Sequence, residues 1–191
     1  MSTIVESKHI RTKVCMVGES GTGKTDLIRR FMQCFFDDRY IQTLGTMVSK
    51  RELISTSPDG IHELKIDMVI WDILGEQRFR VLLKEEYFRG ARGILAVCDV
   101  ARKKTLDDLD SWIGGVQSVT GKIPIVLAIN SRDRSAPEEV NESDAKRFST
   151  TYGAPYFYTS SETGENVDAV FNALGTRVVE NRFDKTRGLP P

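Results

Sequence analysis

One run of residues constrains this chain more than any other: Gly18-Glu19-Ser20-Gly21-Thr22-Gly23-Lys24-Thr25. It fits the pattern G-x-x-x-x-G-K-S/T. The apolar run Lys13 to Val17 (KVCMV) before it reads as a buried strand. The stretch from Thr25 to about Phe36 after it reads as a helix, with Leu27, Ile28 and Phe31 at helical spacing. A glycine-rich turn from strand into helix aims backbone N–H groups and a helix N-terminus at one point, which makes an anion site. In such a site Lys24 reaches the β and γ phosphates of a nucleotide, and the Thr25 hydroxyl ligates Mg²⁺. The backbone from Glu19 to Gly23 and the adjoining Asp26 complete the candidate phosphate-binding residues. The pattern alone leaves open ATP or GTP, and kinase or switch.

Beyond this loop, β-type and helical patterns alternate to the end of the chain. Strands are expected at Met47 to Ser55, Ile61 to Trp71, Gly93 to Cys98, Ile123 to Ile129 and Pro155 to Tyr158. Ser57-Pro58-Asp59-Gly60 is a turn signal, so the first two of these form a hairpin. Helices are expected at Thr105 to Val119, Asn141 to Tyr152 and about Glu165 to Arg182, and the segment after Gln77 is amphipathic. Continuous apolar strands alternating with helices imply an α/β protein with a mostly parallel sheet covered on both faces. The expected fold is a three-layer αβα P-loop NTPase fold, with a six-stranded sheet carrying one antiparallel edge strand. Residues 1–191 read as one domain with a core of about 10–183 and flexible ends, roughly 1–9 and 184–191.

Composition excludes several partners. Lys+Arg and Asp+Glu are both 27, so the formal net charge is zero and no basic excess points to nucleic acid. No apolar stretch approaches the ~20 residues of a membrane helix. The polar stretch Met1 to Arg11 has no signal-peptide core. Ser2 is not a myristoylation glycine, and Gly188-Leu189-Pro190-Pro191 has no cysteine nearby for prenylation. Cys15, Cys34 and Cys98 show no metal-ligand spacing and read as reduced thiols of a cytoplasmic protein, Cys15 and Cys98 within apolar runs. His9 and His62 read as having no cysteine or carboxylate constellation, and Trp71 and Trp112 as core or switch-adjacent residues.

Further motifs give the chain a resemblance to the Ras superfamily of small GTPases, most of all its Rab-like branch, over roughly residues 11–182. Thr43-Leu44-Gly45 has the family's switch I spacing, Thr43 lying 18 residues after Thr25. The resemblance implies that Thr43 ligates Mg²⁺ and senses the γ-phosphate. It also implies that Phe36 stacks on guanine and Tyr40 closes over the phosphates. Trp71-Asp72-Ile73-Leu74-Gly75-Glu76-Gln77-Arg78-Phe79 is similar to the family's W-D-T-A-G-Q-E-R-F. Asp72 would hold Mg²⁺ through a water, and the Gly75 N–H would meet the γ-phosphate. Asn130-Ser131-Arg132-Asp133 resembles N-K-x-D. Asp133 would accept from guanine N1 and N2, which adenine cannot offer, and Asn130 would tie this loop to the phosphate loop. Thr159-Ser160-Ser161-Glu162-Thr163-Gly164-Glu165-Asn166-Val167 resembles T-S-A-K-T-G-E-N-V. It places Ser160, Ser161 and Glu162 at the base, with the Ser161 N–H on guanine O6.

The chain also departs from the family pattern. Ser131 and Glu162 replace two lysines at the base site, and Leu74 replaces a small residue. Glu76 stands where the family has its water-orienting Gln, and Gln77 follows it, so the order is reversed. A carboxylate there repels the γ-phosphate and cannot donate as an amide does. The candidate catalytic residues are therefore Lys24, Glu76 and Gln77, with slow GTP hydrolysis expected.

Two readings follow. One is a GTP/GDP switch with Mg²⁺, bound by effectors, an exchange factor and a GTPase-activating protein at a surface around Leu44, Trp71 and Phe79. It would act as a monomer, without nucleic acid or a direct lipid anchor. The other is a nucleotide-binding scaffold with little or no hydrolysis. A small P-loop kinase is the weakest reading, because no Arg-rich lid is evident.

Overall fold

The computed structural model describes residues 8–32, 41–43, 46–57, 60, 63–73, 84–132 and 136–187. In chain order the elements are β1 (Lys8–Val17), α1 (Lys24–Met32), β2 (Ile41–Thr43), β3 (Thr46–Thr56), β4 (Glu63–Ile73), α2 (Lys84–Phe88) and β5 (Ala91–Asp99). There follow α3 (Lys103–Asp107), α4 (Leu109–Thr120), β6 (Ile125–Asn130), α5 (Glu142–Tyr152), β7 (Tyr156–Thr159) and α6 (Val167–Arg187).

The strands form one sheet in the order β2-β3-β4-β1-β5-β6-β7. β1 pairs in parallel with β4 and β5, and β5, β6 and β7 continue in parallel. β3 is antiparallel to both neighbours. The expected mostly parallel α/β sheet is therefore present, together with the 46–73 hairpin, whose turn is closed by Gly60 N–H donating to Ser57 O at 2.8 Å. The short strand β2 makes a seventh, so the antiparallel strand lies one place inside the edge.

Side-chain alternation along β1 splits the core into two layers. Ile10, Val14 and Met16 face α1 and α6, packing with Leu27, Phe31, Phe171 and Leu174. Phe31 and Phe171 stack with ring centroids 3.9 Å apart. Cys15 and Val17 face the other helices, among Phe88, Leu109, Trp112, Ile113 and Phe148. Cys15 and Cys98 are free and buried, as the apolar runs imply; Cys34 lies outside the described residues.

Three expectations are corrected. The helix expected from Thr105 to Val119 is two segments, α3 and α4, meeting at Asp108. The final helix runs on to Arg187, and β1 begins at Lys8, so both elements extend past their expected bounds. Propensity at a chain end does not report packing, and Val178 and Val179 are buried against the sheet.

The third correction concerns His9, which does have a carboxylate constellation. Its Nε2 lies 3.5 Å from Asp67 Oδ1 and 3.9 Å from Glu52 Oε2. The register pairing Glu52 with Asp67 across β3 and β4, and His9 with Lys65 across β1 and β4, creates the cluster. Lys50 already meets Asp67 at 2.7 Å and Lys65 meets Glu52 at 4.0 Å, so the group is a mixed ion-pair ladder. His62 lies outside the described residues. No helix among the described residues is long and apolar enough to cross a membrane.

Candidate functional site

In an open α/β sheet, ligands bind beyond the carboxyl ends of the strands where the strand order reverses. Here that point is β1, flanked by β4 and β5. The segment 18–23 leaves the end of β1 and leads into α1. Asp72 lies at the end of β4, Asp99 at the end of β5, Asn130 at the end of β6 and Thr159 at the end of β7. Parallel pairing thus gathers residues from distant parts of the chain at one rim.

The loop is shaped by glycine at two positions. Gly18 has φ +144° and Gly23 has φ +86°, both in the region L side chains avoid. A Cβ at Gly18 would overlap the Val97 carbonyl oxygen, and one at Gly23 would overlap Asn130 Nδ2. The loop can therefore lie against β5 and the end of β6 only with glycine at these places.

Lys24 is buried, and its Nζ donates to Gly18 O at 2.8 Å and Glu19 O at 2.9 Å. Burial pushes this ammonium down to about 8; the Asp72 and Glu19 carboxylates oppose the shift, and the Arg102 charge adds to it. The Thr25 hydroxyl donates to Asp72 Oδ2 at 2.6 Å. Burial raises the Asp72 carboxyl, while the Thr25 hydrogen bond and Lys24 hold it down. Two hard oxygen atoms beside a cation, at the mouth of an N–H cradle, suit Mg²⁺ with phosphate. Among the described residues the 18–23 loop, Lys24, Thr25 and Asp72 come together. For Thr43 the structure describes only the backbone, at the end of β2.

The ends of β6 and β7 meet beside this loop. Asn130 is fully buried, and its Nδ2 donates to Thr22 O at 3.0 Å, tying this strand end to the phosphate loop. Thr159 Oγ1 approaches Asn130 Oδ1 at 3.4 Å, and Ser131 N–H donates to Thr159 O at 2.8 Å. Ser160 is buried and accepts from the Gly164 N–H through its carbonyl at 2.8 Å. Arg30 from α1 donates to Thr163 O at 2.9 Å and holds this loop against the helix. A cavity of about 360 Å³ opens here, lined by Asp26, Arg29, Arg30, Arg132, Ser161 and Glu162. Of the expected site residues, Phe36, Tyr40, Gly75, Glu76, Gln77 and Asp133 lie outside the described residues.

Several neighbours of the loop were not legible as site residues. Trp112 is buried in α4, and its Nε1 donates to Glu19 Oε1 at 2.9 Å, anchoring the loop's first side chain. Arg102 Nη2 donates to Gly21 O at 2.7 Å while its Nε meets Asp99 Oδ2 at 2.9 Å. Arg132 Nη1 donates to Gly21 O at 2.8 Å. Trp112 and Arg102 carry no motif. Arg132 had a faint signal, because it stands beside Ser131, where the N-K-x-D pattern lacks its lysine.

Fold and loop together define a P-loop nucleotide-binding protein of the three-layer α/β type. The comparisons then narrow the class. The profile of the Ras family matches residues 13–180. The chain is 33% identical over 180 residues to "Ras-related protein Rab-26" of Bos taurus, covering 93% of this chain and 67% of that protein. It is 30% identical over 180 residues to "Ras-related protein Rab-18" of Lymnaea stagnalis, covering 92% and 85%. It is 32% identical over 176 residues to "GTP-binding protein ypt4" of Schizosaccharomyces pombe, covering 91% and 74%. The chain belongs to the Ras family, in its Rab-like branch. It is a guanine-nucleotide-binding switch and a slow GTP phosphohydrolase. Nothing in these relatives favours the scaffold reading. Guanine nucleotide, regulators and effectors are the general classes of partner such a switch has.

Proposed function

We propose that this chain is a cytoplasmic, monomeric GTP/GDP switch built as one G domain over residues 1–191, with its nucleotide lying along the Gly18–Thr25 loop. The supporting observation is the 2.6 Å hydrogen bond between Thr25 and Asp72 beside the buried Lys24. Two hard oxygen atoms beside the loop support a cation next to the phosphates. The backbone of Glu19, Ser20, Gly21, Thr22 and Gly23 holds the phosphates, Lys24 neutralises the β and γ groups, and Asp26 adjoins them. Thr25, Thr43 and Asp72 would hold Mg²⁺, which when bound would neutralise phosphate charge. Asn130, Ser131, Asp133, Ser160, Ser161 and Glu162 surround guanine, with Phe36 against its edge and Tyr40 over the phosphates.

In hydrolysis, water attacks the γ-phosphorus and the bond to the β–γ bridging oxygen breaks, giving GDP and phosphate. Developing charge on that oxygen is met by Lys24 and by the N–H groups of the loop. Gln77, rather than Glu76, orients the water. The Gly75 N–H and Thr43 report the γ-phosphate to a surface around Leu44, Trp71 and Phe79. An effector, an exchange factor and a GTPase-activating protein act on that surface. Single-turnover GTP hydrolysis of the wild type, Gln77→Ala and Glu76→Ala tests the assignment. Gln77→Ala should slow turnover and Glu76→Ala should not. The reverse order of effects would overturn it.

A further inference from the structure

Two guanidinium groups converge on one carbonyl of the phosphate loop. Gly21 O accepts from Arg102 Nη2 at 2.7 Å and from Arg132 Nη1 at 2.8 Å. Arg102 lies just beyond β5 and Arg132 just beyond β6. Arg102 reaches a second loop carbonyl, Ser20 O, at 3.4 Å, and is braced by Asp99 at 2.9 Å. The two arginines differ in what else they touch. The stem of Arg132 crosses Gly23, where an added Cβ would lie 3.3 Å from its Cδ and 3.4 Å from its Cγ. The same side chain lines the cavity of about 360 Å³ shared with Asp26, Ser161 and Glu162. Arg29 and Arg30 line that cavity too, but they are turned to other partners, Asp26 at 3.8 Å and Thr163 O at 2.9 Å.

A phosphate loop works by aiming its N–H groups inward, which leaves carbonyls facing outward. A charged donor on one of those carbonyls fixes its peptide plane, and a pre-fixed loop loses less freedom when a nucleotide binds. Arginine suits this place better than a shorter side chain. Its planar guanidinium can donate to a carbonyl while its flat face and stem form a wall. Ser131, next to it, has neither reach nor charge.

We infer that Arg132 is a nucleotide-positioning residue that couples the base cavity to the phosphate loop, with Arg102 as a second brace on the same carbonyl. This rests on the nucleotide lying along the Gly18–Thr25 loop. Arg132→Ala then loses both the wall and one donor, whereas Arg102→Ala loses a donor only. Arg132→Lys keeps the charge and an apolar stem but loses the planar fork.

The test is the release rate of a fluorescent GDP analogue from the full chain in Mg²⁺ buffer, for the wild type and these three variants. Arg132→Ala should release GDP roughly tenfold faster, as loss of one charge-assisted contact predicts. Arg102→Ala should give a smaller increase, and Arg132→Lys should recover part of the way to wild type, which a nonspecific loss of folding would not do. If Arg132→Ala releases GDP within about twofold of the wild type, the inference fails. The same holds if Arg132→Lys is as fast as Arg132→Ala. A wild type that never retains the GDP analogue overturns the placement of the nucleotide itself, which separates the two failures.

Discussion

The Thr25 hydroxyl and the Asp72 carboxylate meet at 2.6 Å across 47 positions of chain. Thr25 opens α1, and Asp72 lies at the end of β4, two strands from the sheet edge. Parallel pairing of β1 with β4, which sets Met16 opposite Asp72, brings the two together. Asp72→Ala should therefore weaken Mg²⁺-dependent GTP retention by about 10–100-fold, the usual cost of losing a positioned carboxylate near a metal. Comparing GTP release with and without a chelator checks this. Wild type should respond strongly to the chelator and the variant only weakly.

Asn130 ties the end of β6 to the 18–25 loop. Its amide donates to the Thr22 carbonyl in a fully buried setting. Asn130→Ala leaves that carbonyl without its donor, at a cost of about 1–3 kcal/mol. Urea unfolding should show the loss, and GDP release should accelerate in parallel. Unchanged unfolding would mean that the strand end is held elsewhere.

Lys24 sets a pH dependence. Burial lowers its ammonium to about 8 from an ordinary 10.5, so the folded chain disfavours the charged form. Without nucleotide, that penalty on the fold diminishes as pH climbs from about 8 toward 10.5. Bound phosphates favour the ammonium, so nucleotide binding takes up a proton above about pH 8 and affinity falls as pH rises further. Calorimetry of GDP binding in buffers of different ionisation enthalpy should show little proton uptake near pH 7. Uptake should approach one proton near pH 9. Equal uptake at both values would contradict the shift.

Trp112 links the helical layer to the loop through Glu19. Trp112→Phe keeps most of the buried ring but removes the N–H donor. A stability loss of about 1–2 kcal/mol is expected, together with faster nucleotide release. Thermal unfolding and GDP release measured on the same preparation would expose a stability effect that leaves release untouched.

Much of this architecture was readable in the amino acids because its signals are local. The glycine pattern of 18–25, the strand-like runs and the Asn141 helix start each lie within one window of chain. In the structure Asn141 makes the reciprocal capping contact with Asp144. Thr25, Asp72 and Asn130 were legible because motifs mark them. Arg102 and Trp112 were not, and Arg132 was only faintly so, because their relation to the loop depends on how strands far apart in sequence align. The His9 cluster with Glu52 and Asp67 was missed for the same reason: it is a product of register across three strands. The break at Asp108 escaped because an aspartate in right-handed helical geometry, φ −70° and ψ −14°, leaves the helical periodicity almost intact.

This chain is a guanine-nucleotide-binding switch and a slow GTP phosphohydrolase. The most direct measurement is the nucleotide released on denaturing the purified full chain, followed by loading with GTP and tracking of its conversion. Close to one GDP or GTP per chain is expected, with slow Mg²⁺-dependent formation of GDP. Adenine nucleotide in place of guanine, or GTP that remains unconverted, would contradict it.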